Sequence, residues 1–235
     1  SLLLIMLPGL VLPVSVSADW FEDFKTEATN EQLHQLLYEM PKGGDLHHHM
    51  SGSGFSEWWF DLALAAKSDG YVYYTKVKLN NCRDYGWQSF KTTPYHLMFQ
   101  TIQESAWKVL PECERDEYLL LSELNEVQKL AWMNSFRLDK DYEGRHEFFE
   151  THWQRLGDLV ANPHLRGELI LRNFQAFADE GLIYVEPQVT AFGYKQLDGT
   201  PISPDDVAVI LRERLAKADI KATGLTYRFQ QAILR

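Results

Sequence analysis

The last third of the chain constrains the architecture most. "PHLRGELILRNFQAFADEG" (163–181) carries apolar residues at helical spacing and ends on Gly181, a helix-terminating glycine. "LIYVEPQV" (182–189) follows as an apolar, β-rich strand. "SPDDVAVILRERLAKAD" (203–219) is a second helix, with Ser203 at the N-cap, Pro204 at the first helical position and acids in the first turn. "TGLTYRFQQAILR" (223–235) reads as a further strand. A strand, a helix and a strand joined by a crossover of this length pair in parallel.

Upstream, residues 19–39 are expected to be helical, with Trp20, Phe21, Phe24, Leu33, Leu36 and Leu37 at helical spacing and Pro41 and Gly43-Gly44 ending the pattern. Leu46 to Met50 is a short strand candidate. "FSEWWFDLALAAK" (55–67) is an aromatic helix, and "GYVYYTKVKL" (70–79) a strand or hairpin arm. Helices are expected at roughly 94–110, 115–133 and 145–160. One early strand, a mostly helical insertion over 55–144, and then two strands with helices between them form the opening of a (β/α)8 barrel of α/β class. A complete barrel has eight strands and about 250 residues. Three strands can be placed, so residues 19–235 are expected to be the N-terminal part of a longer protein.

Of the 235 residues, 45% are hydrophobic and 24% charged, which is enough apolar material for a sizeable core. The net charge of −10 argues against a nucleic-acid partner, because phosphate binding needs a basic face. "LLLIMLPGLVLPVSVSA" (2–18) is apolar, short for a membrane helix and broken by Pro8 and Pro13. It reads as a secretory signal over 1–18 without its basic start, with cleavage near Ala18; a buried N-terminal strand or helix is the other reading. The mature chain is then secreted or periplasmic, with no membrane association. Export permits a Cys82–Cys113 disulfide, and two free thiols fit the sequence equally well.

"MPKGGDLHHHMSGS" (40–53) carries the chemistry. Strand side chains alternate between faces, so His47 and His49 share a face and His48 takes the other. Imidazoles at i and i+2 can converge on one ion, and neutral imidazole suits zinc. In a parallel barrel, functional groups gather at the C-terminal ends of the strands. His-x-His alone is a weak signal, since a histidine run can also be a solvated turn.

The flanking residues add a resemblance. "MPKGGDLHHHMSG" is similar to the MPK…L-H-x-H-x-x-G opening of the adenosine deaminase family, and its double glycine resembles the exported, growth-factor-related branch. "GRHEFFETHWQRLG" (144–157) resembles the family's helix near the pocket mouth, with His152 in place of a usual phenylalanine beside Trp153. "EGLIYVEPQV" resembles its second strand, with Gln188 in place of an arginine, and "LTYRFQQAILR" its third.

The resemblance implies zinc-dependent hydrolytic deamination of adenosine, a purine nucleoside, to inosine and ammonia, at a cyclic amidine C–N bond. It assigns one divalent ion to His47 and His49, with His48 a bystander. It suggests Ser51 and Gly52 as substrate contacts, Ser51 standing where many members have an aspartate. The acid–base groups and remaining ligands are expected beyond Arg235; Glu186, His146 and His164 do not match them. Trp58, Trp59 and Phe60 are expected to pack their helix rather than wall a pocket. The insertion either caps the site or makes a homodimer contact. Two other readings share the residues: another metal-dependent amidohydrolase on the same barrel, and a secreted binding protein without catalysis. The cytidine deaminase signature, H-x-E with P-C-x-x-C, is absent.

Overall fold

The structure, a computed structural model, describes residues 19–80, 82 and 97–231. The signal segment expected at 1–18 and the strand residues 232–235 lie outside them. The chain divides into two units, one up to Pro41 and one from Lys42 onward. In the first, α1 (Asp19–Glu27) and α2 (Asn30–Glu39) replace the single helix expected over 19–39. Thr29 causes the break by capping α2. Its hydroxyl accepts from Gln32 N at 3.2 Å and its own N–H donates to Gln32 Oε1 at 2.9 Å, a reciprocal box that starts a new helix.

The second unit opens with β1 (Gly44–His49) and α3 (Ser56–Ala65). Next come β2 (Tyr73–Lys76), β3 (Thr101–Gln103), α4 (Glu104–Lys108), α5 (Glu112–Arg115), β4 (Tyr118–Leu120) and α6 (Glu126–Asn134). β2 is the centre of an antiparallel sheet ordered β3-β2-β4. This corrects the helices expected over 94–110 and 115–133, each of which includes a strand. Three-residue strands are too short to show a period of two, and the run Leu119-Leu120-Leu121 fits a helix equally well by spacing. Hydrogen bonds from β2 decide both cases. Lys76 and Glu117 form an ion pair inside this region, both almost wholly buried. Cys82 and Cys113 are joined in a disulfide, Cα atoms 5.8 Å apart, which settles the pairing that the sequence left open.

The stretch expected as a helix over 145–160 is helical but irregular. It runs through α7 (Arg145–Glu147), a π turn (Phe148–His152), α8 (Trp153–Arg155) and a 3-10 turn (Gly157–Ala161). Then follow α9 (Pro163–Asp179), β5 (Tyr184–Val189), α10 (Pro204–Leu215), α11 (Ala218–Ala222), β6 (Thr226–Tyr227) and β7 (Gln230–Gln231). Asn162 and Ser203 cap α9 and α10 with their side chains, and Gly181 takes φ +84° past the end of α9. Ser203 and Gly181 stand where the sequence puts them, and the Asn162 cap is added by the structure.

β5 pairs in parallel with β1 on one side and with β6 and β7 on the other. Within the described residues, the strand expected over 223–235 is thus two short pieces interrupted at Arg228-Phe229. The chain is mixed α/β, with a parallel sheet covered by helices on one face. Ile170 and Phe174 of α9, Val185 and Val189 of β5, and Val207 and Leu211 of α10 form the core beneath that face; each such side chain contributes about 1.5–3 kcal/mol by leaving water. α9 also turns Leu165 and Leu169 towards a second core.

That second core holds Leu165 and Leu169 of α9 with Trp59, Phe60 and Trp132, so Trp59 and Phe60 pack as expected. α10 lies close against α9 at Gly167, where a Cβ would come within 2.8 Å of Arg214 Cγ.

Candidate functional site

The face of the parallel sheet opposite the helices carries polar residues. Along β5, Val185, Pro187 and Val189 are buried on the helix side, and Tyr184, Glu186 and Gln188 alternate with them. β1 matches this register at Gly44↔Tyr184, Asp45↔Val185, His48↔Pro187 and His49↔Gln188, with a shift between Asp45 and His48. Two residues of β1, Leu46 and His47, therefore stand where β5 supplies one, Glu186. This is a bulge, and Asp45 braces it. Its Oδ1 accepts from His47 N at 2.8 Å, and its Oδ2 lies 3.2 Å from His48 Nδ1.

His48 faces the helix layer. Its side chain is 11% exposed, and its ring meets Phe177 edge-on at 5.1 Å. Burial pushes its pKa below the ordinary histidine value, against the opposing pull of Asp45. His47 and His49 are exposed, with ring centroids 5.4 Å apart.

The protonation of His47 follows from its neighbours. Gln230 Nε2 donates to Leu46 O at 2.9 Å and to Glu186 Oε2 at 3.0 Å. Both partners only accept, so the amide orientation is fixed and Oε1 faces His47 Nδ1, 2.8 Å away. An amide oxygen cannot donate, so Nδ1 carries a hydrogen and donates it to Gln230, and in the neutral tautomer the lone pair is on Nε2. Glu186 completes the row. It accepts from Tyr184 Oη and Gln230, and these hydrogen bonds, Tyr184 first, hold its carboxyl below the usual range. Glu186 thus has a structural role here: it braces Gln230, which orients His47.

A cleft of about 770 Å³ opens at the C-terminal ends of β1 and β5, and its lining includes His49, Ser51, Trp153, Arg166, Gln188 and Phe192. Ser51 therefore reaches the cleft. Gly52 stands in the turn after β1, its N–H bonded to His49 O at 2.9 Å, and is outside that lining. Trp58, Trp59 and Phe60 do not line it. His152 is 6% exposed and also outside it, with Nδ1 3.2 Å from Arg155 Nη1 and Nε2 3.2 Å from Glu143 Oε1. His146 and His164 are exposed. Among the described residues, no group of three His, Cys, Asp or Glu side chains could hold a metal, so His47 and His49 offer a pair of nitrogens rather than a full shell.

Sequence reasoning missed Asp45, Glu186 and Gln230 as supports of the histidines, and Arg166 as a lining residue. Asp45 had a local signal, an acid two residues before the run that can accept from the backbone ahead of it. The others depend on strand pairing and helix packing. No helix among the described residues is long and apolar enough to cross a membrane. No protein-family model matches the chain, and no curated protein matches it.

Proposed function

We propose that the parallel sheet is the opening of a (β/α)8 barrel and that the protein is a zinc-dependent hydrolase that deaminates a purine nucleoside, adenosine, to inosine. The observation that carries this reading is the pair His47 and His49, side by side on the polar face at the C-terminal end of β1. Three features of the fold support the barrel: the pairing of β5 in parallel with strands on both sides, the packing of α9 and α10 against one face, and a polar opposite face. Inward-facing polar groups at strand ends are where barrel enzymes keep their chemistry.

His47 and His49 would hold the ion. When bound, zinc supplies a Lewis acid that makes a nucleophilic water accessible near neutral pH. His47 would hold the ion through Nε2, because its Nδ1–H is engaged in a hydrogen bond to Gln230 Oε1. Such a partner on the far ring nitrogen fixes the tautomer and the ring plane. Asp45 braces the bulge in which His47 lies, by accepting from His47 N. His48, turned to the helices, packs. Ser51 can bond a hydroxyl of the nucleoside, and Trp153 and Phe192 offer apolar surface to a base. The reading also requires acid–base groups and further metal ligands, which the described residues do not supply.

The test is the natural full-length protein assayed for inosine and ammonia from adenosine, before chelation, after it, and after zinc is returned. Turnover that disappears with the metal and comes back with it supports the reading. Turnover indifferent to chelation, or none at saturating adenosine and zinc, removes it.

A further inference from the structure

We infer that the cleft at the ends of β1 and β5 binds its ligand by an oxyanion, a phosphate or a carboxylate, held on Arg166. Two buried arginines make the contrast. Arg214 is 8% exposed and is held by Glu168 and Asp219, with four hydrogen bonds to their carboxylate oxygens. Arg166 is 5% exposed, deeper than Arg214. Its Nη2 donates to Val160 O at 3.3 Å, and its Nε has no partner. Its guanidinium carbon lies 6.0 Å from the ring centroid of Tyr194, whose buried hydroxyl is also unpartnered. None of the ion pairs among the described residues includes Arg166.

A guanidinium withdrawn from water without a carboxylate costs stability. Folding alone gives no reason to bear that cost at a residue that lines the cleft. A ligand oxyanion removes it, because arginine binds carboxylates and phosphates through paired N–H donors. His49 and Ser51 line the same cleft and His47 stands outside that lining, so the anionic group would belong to the ligand that meets His49. The inference rests on the reading above for the other end of that ligand, and extends it from a bare nucleoside to one bearing an acid group.

The experiment uses the full chain. Melting is followed in potassium phosphate, in potassium acetate and in potassium chloride of equal ionic strength. Binding of adenosine 5′-monophosphate and of adenosine is measured by quenching of tryptophan fluorescence, for wild type, Arg166→Gln and Arg166→Lys. Phosphate or acetate should raise the melting temperature of the wild type above its value in chloride, and the one that acts identifies the source of the oxyanion. The monophosphate, or adenosine bearing a 5′-carboxylate if acetate acts, should bind at least tenfold tighter than adenosine. That ratio should fall to about one in Arg166→Gln and to an intermediate value in Arg166→Lys. Wild type without anion protection or without the preference overturns the inference whatever the variants do. A preference that survives in both variants overturns it as well. If Arg166→Gln does not fold, Arg166→Lys decides alone. Zinc-dependent deamination is read separately, so failure of the oxyanion site leaves that reading standing, and loss of deamination leaves the anion result intact.

Discussion

His47 Nδ1 lies 2.8 Å from Gln230 Oε1, across 183 residues of sequence. The contact joins the histidine strand to the far strand of the sheet, and the two other bonds of Gln230 fix its direction. Gln230→Ala should free the imidazole to rotate and to exchange tautomers. Nitrogen-15 chemical shifts of His47 should show protonated Nδ1 in the wild type and a mixture in the variant. Zinc affinity should drop about 10- to 100-fold, the usual effect of removing such a partner. A wild-type His47 protonated at Nε2 would contradict the assignment.

Gly157 has φ +49°, and a Cβ there would come within 2.0 Å of Thr101 O. The backbone conformation alone costs a non-glycine residue about 1–2 kcal/mol, and the carbonyl belongs to β3 and cannot yield easily. Gly157→Ala should therefore lower unfolding free energy by more than that, measured by denaturant titration. A smaller change would mean that the 3-10 turn moves away from β3.

Glu117 is fully buried against Lys76 and also accepts from Asn80 N at 2.6 Å. Lys76→Met leaves that carboxylate without its counter-charge, and should cost about 3–5 kcal/mol. Adding Glu117→Gln keeps an acceptor for Asn80 and removes the charge. The double variant should recover most of the loss in thermal melting. Additive losses would show that the two side chains do not interact.

The His152 imidazole is held below the ordinary histidine value, first by burial and then by the Arg155 guanidinium, while Glu143, Glu147 and Asp139 pull the other way. The folded state thus prefers the neutral ring. Stability from this preference is complete above the unfolded value, about 6.5, and is lost as pH falls below it. The melting temperature of the wild type should fall on going from pH 7 to pH 5, and His152→Gln should flatten part of that fall. An unchanged slope would place the sensitivity elsewhere.

The parts of the fold set by local chemistry were legible before the structure. Ser203 before Pro204 and Gly181 mark helix ends that hold in the fold, β5 is a strand where one was expected, and the opposite faces of His47 and His48 follow from strand geometry. The rest depends on partners distant in sequence. β3 and β4 are strands because β2 lies between them. The Cys82–Cys113 bond needs the fold to bring its ends together. Gln230, Glu186 and His47 meet only once β5 is flanked on both sides, and no spacing rule links them. Arg166 looks like an ordinary helix charge until its burial is known.

Zinc retained per chain after gel filtration, in the natural full-length protein and in His47→Ala, His48→Ala and His49→Ala, tests the central claim most directly. One ion should remain in the wild type and in His48→Ala, and almost none in the other two. Zinc lost in His48→Ala as fully as in His47→Ala, with all three variants folded, would contradict the claim, because the ring against Phe177 would then be a ligand and the pair on the open face would not be the site.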